Sequence, residues 1–222
     1  MAAPIVTNTV IPRMSTDILT LTQLLSPSFP VGAFAYSHGL ETAIDTGLVN
    51  NADDLTAWLD DLLTNGSGRN DAVFLQVAYT NNDPLIDASA RAFAASKERL
   101  QETDLQGAAF CEAVNAVWQL DLHGLTYPVA VGQTAQNLNL DPVLTTAMYL
   151  QAFVGNLCAV AMRLVPLGQT DGQKVQLTLK PLCLQIAKDT RDATLDDLHS
   201  NTFMSDIMSM QHETQYSRVF RT

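Results

Sequence analysis

Leu55, Trp58, Leu59, Leu62 and Leu63 recur at i, i+3, i+4, i+7 and i+8. That spacing gathers five apolar side chains on one stripe of an α-helix and would scatter them over both faces of a strand. Asn51 stands ahead of the stripe where an N-cap belongs, and Asp53 and Asp54 put negative charge on the first turn, where the helix dipole favours it. Only Lys174–Lys180 alternates like a half-buried strand. A lone strand has nothing to pair with, so that segment is expected to be a helix kinked by Pro181.

Other segments read the same way. Asp17 is a candidate cap for a helix carrying Ile18, Leu21 and Leu25, which Pro27 stops. The stretch Ser26–Pro30 must be extended, since each proline pushes its predecessor out of the α region. A second helix is expected over Tyr36–Thr46, with Gly47 after it. Asn65-Gly66-Ser67-Gly68 should break the chain before a helix over Val73–Tyr79. Asp83-Pro84 and Asp141-Pro142 each pair a cap with a first-turn proline and open helices over about 84–97 and 142–165. Further helical segments are expected over Leu105–Leu120 and from Pro128 to about Leu138. The fold class is all-α: a single compact helical domain of about ten helices over 15–200, a flexible N-terminal arm over 1–14, and a C-terminal partner-binding tail over 201–222.

The 222 residues are 47% hydrophobic and 16% charged, the composition of a folded chain. Lys and Arg number 12 against 23 Asp and Glu, a formal charge of -11 that repels phosphate backbones and anionic headgroups. Neither nucleic acid nor membrane is expected as a partner. No Lys or Arg occurs between Arg13 and Arg69, so that third either faces solvent or steers a basic partner. The apolar stretch Pro142–Val165 is interrupted by Thr145, Thr146, Gln151, Asn156 and Arg163 and reads as a core helix. Cys111, Cys158 and Cys183 are odd in number and form no C-x-x-C pair. With no apolar run behind a basic start at the N-terminus, they fit a reducing, cytoplasmic setting.

Catalytic patterns are missing. Gly168–Lys174 has the wrong spacing for a phosphate-binding loop and lacks Ser or Thr after its lysine, so it reads as an interhelical turn. His38, His123, His199 and His212 stand far apart, and His212-Glu213 has no second histidine. The adjacent Ser37 and His38 point about 100° apart on a helix and make no triad. The expectation is a non-enzyme with no catalytic residue, no cofactor and no metal site.

Four stretches carry more unusual residues than packing needs: SPSFPVGAFAYSHGL (26–40), YPVAVG (127–132), RLVPLGQTDGQ (163–173) and QHETQYSRVFR (211–221). In order and content they resemble the UreF family of urease accessory proteins, nearly end to end; residues 60–125 contribute little to the likeness. The chain departs from the family pattern before the tail and in ending Val-Phe-Arg-Thr rather than Leu-Phe-Arg-Ser. The resemblance implies a homodimer that bridges the UreD (or UreH) scaffold and the UreG GTPase in the complex that inserts nickel into apo-urease. It also implies that residues 211–221 are ordered by the scaffold, and that 163–173 lies near the dimer and GTPase surfaces.

The candidate partner-binding residues are Tyr36, Glu41, Asp45, Arg163, Gln169, Asp171, Gln173, Lys174, His212, Glu213, Tyr216, Arg218, Phe220 and Arg221. Tyr216, Val219 and Phe220 fall at i, i+3 and i+4, a stripe too short for a stable helix in water but suited to a partner's groove or to the chain's own domain. Glu41 and Asp45, an acidic pair without a basic neighbour in sequence, are candidates for a cation across an interface. Phe29, Phe34 and Tyr36 could be core or interface, with core favoured for Phe34. Alternatively, Arg163 or Lys174 reaches a bound nucleotide and regulates the partner's GTP hydrolysis; a nickel carrier in its own right is a third reading.

Overall fold

Apolar stripes of helical period must bury themselves against one another, and the chain does this with helices throughout. The structure, a computed structural model, describes residues 13–222, with side chains from residue 16. The expected arm over 1–14 lies outside these residues except for Arg13 and Met14, which open the first helix. Among the described residues there are ten α-helices and no strand: α1 (Arg13–Leu24), α2 (Leu40–Asp45), α3 (Ala52–Asn65), α4 (Ser67–Thr80), α5 (Pro84–Ala92), α6 (Lys97–Trp118), α7 (Tyr127–Asn137), α8 (Pro142–Leu164), α9 (Gln169–Asp189) and α10 (Phe203–His212). Short 3-10 turns at Ala33–Ala35 and Leu195–Asp197 complete the elements.

Several caps are those the sequence announces. Asn51 accepts from the amides of Asp53 and Asp54, Asp83 from Leu85, and Asp141 from Leu144. Other boundaries move, for local reasons. Ser96 accepts from the Arg99 amide and starts α6 well before Leu105. The expected helix over Tyr36–Thr46 keeps only its second half, because His38 and Gly39 take φ of 56° and 77°, which no α-helix accommodates. The break at 65–68 shrinks to Gly66. Gly168–Gln173 is not a turn but the cap and first turn of α9.

Pro181 lies inside α9 and leaves the Leu177 carbonyl without its helical donor. Leu177 and Pro181 are exposed, so water can take that carbonyl. The alternation at 174–180 is overridden by burial of Val175, Leu179, Cys183 and Ile186 along one helical stripe.

Helix α8 is the centre of the bundle, packing along α9 and against α4, α2 and α3. It is the only helix among the described residues long and apolar enough to cross a membrane, yet Leu150, Val154, Leu157, Cys158 and Ala161 are buried in the main core. Helices α4 and α7 approach so closely that a Cβ at Gly132 would stand 2.3 Å from the Leu75 carbonyl oxygen. Phe29 packs on Phe110 with ring centroids 5.3 Å apart, but Phe34 is exposed, against the expectation that it is core. The 3-10 turn that carries it buries none of its residues.

Candidate functional site

The C-terminal segment is seated on its own domain, and the seat is polar. Glu41 is buried, and its carboxylate accepts from the backbone amides of Val219 (2.7 Å) and Phe220 (2.9 Å). Its Oε2 also lies 3.1 Å from Nε2 of His212. The other ring nitrogen, Nδ1, is 2.7 Å from Glu98 Oε2, so the ring spans the two carboxylates. Arg218 donates to the second oxygen of Glu98 at 2.6 Å. Glu213 accepts from the Lys97 amide at 2.8 Å, at the start of α6. Glu41, expected to meet a cation across an interface, here holds the chain's own tail. Asp45, one turn on, is exposed.

The last residues run back along the loop before α2. The Arg221 amide donates to the Ala35 carbonyl (2.8 Å) and the Ser37 amide to the Thr222 carbonyl (2.9 Å), which the Ser37 hydroxyl also meets. The Thr222 hydroxyl donates to Glu102 at 3.1 Å, a bond that the serine of the family pattern would equally make. Tyr36 is buried, and burial pushes its phenol above the ordinary range despite its hydrogen bond with Arg221. Residues 216–220 are not helical: Phe220 turns inward under Arg163, whose guanidinium carbon stands 5.8 Å from the ring centroid, while Tyr216 and Val219 face solvent. The amides a helix would have used are those bound to Glu41.

Beneath the seat lies a charged network. Glu102 accepts from His38 (2.8 Å), Gln106 (2.9 Å), Thr222 and Arg99. Burial alone would raise its carboxyl, but Arg99 and His38 hold it down at about 2. His38 is lowered by burial and then by Arg99, so its Nε2–H donates as a neutral ring and Nδ1 has no protein partner. Asp71, bonded by the Tyr149 hydroxyl at 2.7 Å, is pushed up to about 6 by burial. Arg99, Asp71 and His38 line a cavity of about 50 Å³ with Asn70, Thr103 and Ser209.

Helix α10 turns its amphipathicity outside in. Ser205, Ser209 and His212 face the domain, with Met208 the one apolar residue among its buried side chains. The Ser209 hydroxyl meets that of Ser96 at 2.7 Å, and Gly39 lies so close that a Cβ there would stand 2.6 Å from the Ser209 nitrogen. Outward it presents Phe203, Met204, Ile207 and Met210, from 43% to 71% exposed, and beyond it Tyr216 is fully exposed. The spacing 203, 207, 210 gives one helical face.

The remaining candidates sit at the start of α9. Gln169, Gln173 and Lys174 are exposed, and Lys174 pairs with Asp171 at 3.1 Å. The structure therefore brings Tyr36, Glu41, Arg163, His212, Glu213, Arg218, Phe220 and Arg221 to one seat and leaves the α9 group apart. Sequence reasoning missed Glu98, Glu102, Ser37 and Thr222, which no local pattern marks. It also missed the outward face of α10, whose 4,3 spacing was readable but whose direction was not. Among the described residues no three His, Cys, Asp or Glu side chains are grouped to hold a metal ion.

Fold and surface together define an all-helical protein whose exposed apolar face is built on its C-terminal helix and held by a buried polar seat. The UreF family model matches residues 49–180, and the chain belongs to the UreF family of urease accessory proteins. It is 54% identical over 215 residues to urease accessory protein UreF of Roseobacter denitrificans, covering 94% of this chain and 96% of that protein. With the UreF of Ruegeria pomeroyi it shares 50% over 210 residues (93% and 97%). With that of Cereibacter sphaeroides strain KD131 it shares 47% over 210 residues (94% and 100%).

Proposed function

We propose that this protein acts in the cytoplasm as a docking subunit of the urease-maturation complex. It joins the UreD or UreH scaffold to the UreG GTPase so that nickel reaches apo-urease, and performs no catalysis of its own. The reversed amphipathicity of α10 carries the reading. Phe203, Met204, Ile207 and Met210 are exposed while serines and a histidine are buried behind them, an arrangement that costs stability in the isolated chain and is recovered when a partner covers the face. We assign that face, with Tyr216 and Val219, to the scaffold. Tail residues 211–221 act through it, since Glu41, Glu98 and Arg218 fix where α10 ends. The α9 start, with Gln169, Asp171, Gln173 and Lys174, is assigned to the GTPase and to contact with a second copy, as is the exposed Asp45. Regulation of GTP hydrolysis through Arg163 would require that side chain to leave the Phe220 ring.

The test is co-purification of scaffold with wild-type protein and with Phe203→Asp and Ile207→Asp, followed by size exclusion with mass measurement. Both side chains are exposed, so the variants should keep the helical spectrum and melting temperature but lose the scaffold. Undiminished scaffold binding by both would refute the assignment.

A further inference from the structure

We propose that, among the methionines whose side chains are described, Met204 and Met210 are the oxidation sites and that their conversion to sulfoxide reversibly switches off the docking face of α10. The proposal rests on the assignment of that face to the scaffold.

Sulfur in this protein is divided sharply by access. Cys111, Cys158 and Cys183 are all buried and unpaired. Burial raises the first thiol and pushes the other two up to about 12 and about 11, so the nucleophilic thiolate is scarce where an oxidant could least reach it. Met208 is buried, with the Thr46 hydroxyl 3.7 Å from its sulfur. Met148 and Met162 are half-buried, the sulfur of Met162 lying where a Cβ on Gly172 would fall. Met204 and Met210 alone among the described side chains offer exposed thioethers, 50% and 53% open to solvent. Met210 stands on the outward face with Phe203 and Ile207, and Met204 stands on its flank.

The chemistry balances with a peroxide as oxidant. The thioether sulfur attacks the peroxide, the O–O bond breaks, an S=O bond forms, sulfur loses two electrons and the peroxide leaves as water or alcohol. A thiol-dependent sulfoxide reductase reverses the step, its thiols becoming a disulfide. The product matters because of where it sits. A flexible apolar side chain suited to fitting an irregular partner surface becomes a polar one with a strong acceptor, which must be desolvated before an apolar partner can cover it. The inward face of α10 is untouched, so the helix stays seated while its outward face changes character.

The experiment treats the full-length chain with graded hydrogen peroxide, maps sulfoxide by peptide mass spectrometry, and measures affinity for the purified scaffold before treatment, after it, and after sulfoxide reductase. Met204 and Met210 should convert before Met148, Met162 and Met208, scaffold affinity should fall about tenfold or more, and the reductase should restore it. A double variant, Met204→Leu with Met210→Leu, should show the same scaffold affinity after peroxide as it shows before it. Equal conversion of Met148, Met162 and Met208, or full affinity with both sites oxidised, overturns the switch while leaving the docking assignment intact. Failure of untreated wild type and of the Leu variant to bind scaffold at all overturns both.

Discussion

Replacing Glu41 with Gln tests whether the tail is held as the geometry says. The carboxylate accepts from two backbone amides, at 2.7 Å on Oε1 and 2.9 Å on Oε2, and its Oε2 lies 3.1 Å from the His212 ring. A glutamine keeps the shape but turns one oxygen into a donor, so one of the two amides, Val219 or Phe220, must face an NH₂ group. The loss is one charge-assisted hydrogen bond, about 1.5–3 kcal/mol, with weakening of the others as the charge disappears. Because the segment 213–222 follows the last helix and can detach without unfolding α8, that loss falls on local opening more than on the global fold. Hydrogen exchange at the amides of Val219 and Phe220 should therefore quicken about tenfold to a hundredfold, while amides of α8 change little and the melting temperature moves by only a few degrees. Unchanged exchange at those two amides would refute the account of the seat, whatever happened to partner binding.

Gly39→Ala should displace α10 and cost about 2–4 kcal/mol in a urea titration, since the position combines a φ of 77° with backbone of Ser209 2.6 Å from the new carbon; a loss under 1 kcal/mol would contradict that close approach. Ellman's reagent should find essentially no reactive thiol in the native protein and all three once it is unfolded, because Cys111, Cys158 and Cys183 are buried; fast native reaction at any of them would contradict the packing. Burial pushes Asp71 up from the ordinary 3.8 to about 6, so its contribution to stability is present at low pH and falls as pH rises from about 4 through 6. Asp71→Asn should flatten that slope between about pH 4 and 6, and an unaltered slope would assign it elsewhere. Glu102, held at about 2 against 4.5, contributes in the opposite sense, its share being lost as pH falls below about 4.5. Glu102→Gln should remove that acid-side loss and lower stability at pH 7.

The helices that bury an apolar stripe were legible because periodicity and burial agree. Leu55, Leu59, Leu62 and Leu63 are all buried in α3, and the caps at Asn51, Asp83 and Asp141 are chemical signals that need no tertiary context. The loop before α2 was not legible, since His38 can hold a left-handed conformation only where Glu102 and Phe153 grip its ring. The tail defeated sequence reasoning for the same reason. A spacing of i, i+3, i+4 at Tyr216, Val219 and Phe220 suggests a helix only while their amides are free, and a carboxylate nearly 180 residues earlier in the chain takes two of those amides.

The same limit explains why α10, within the expected tail over 201–222, carries helical apolar spacing and yet packs inverted. Hydrophobic periodicity gives the direction of the apolar face relative to the helix axis but not relative to the domain, and the usual assumption that apolar means inward holds when the rest of the surface offers nothing better. Here the domain offers a glycine, a serine and three carboxylates: Gly39 at the backbone of Ser209, Ser96 for its hydroxyl, Glu41 and Glu98 for His212, and the Glu102 network just beyond. A leucine face laid on that surface would leave those groups desolvated and unpaired, a cost of about 1–3 kcal/mol for each. Turning Ser205, Ser209 and His212 inward satisfies them, and Phe203, Ile207 and the two exposed methionines are left for another surface to cover. The polarity of the seat therefore sets the orientation of the face, and a charge-removing change such as Glu41→Gln should loosen the docking surface without altering any residue on it.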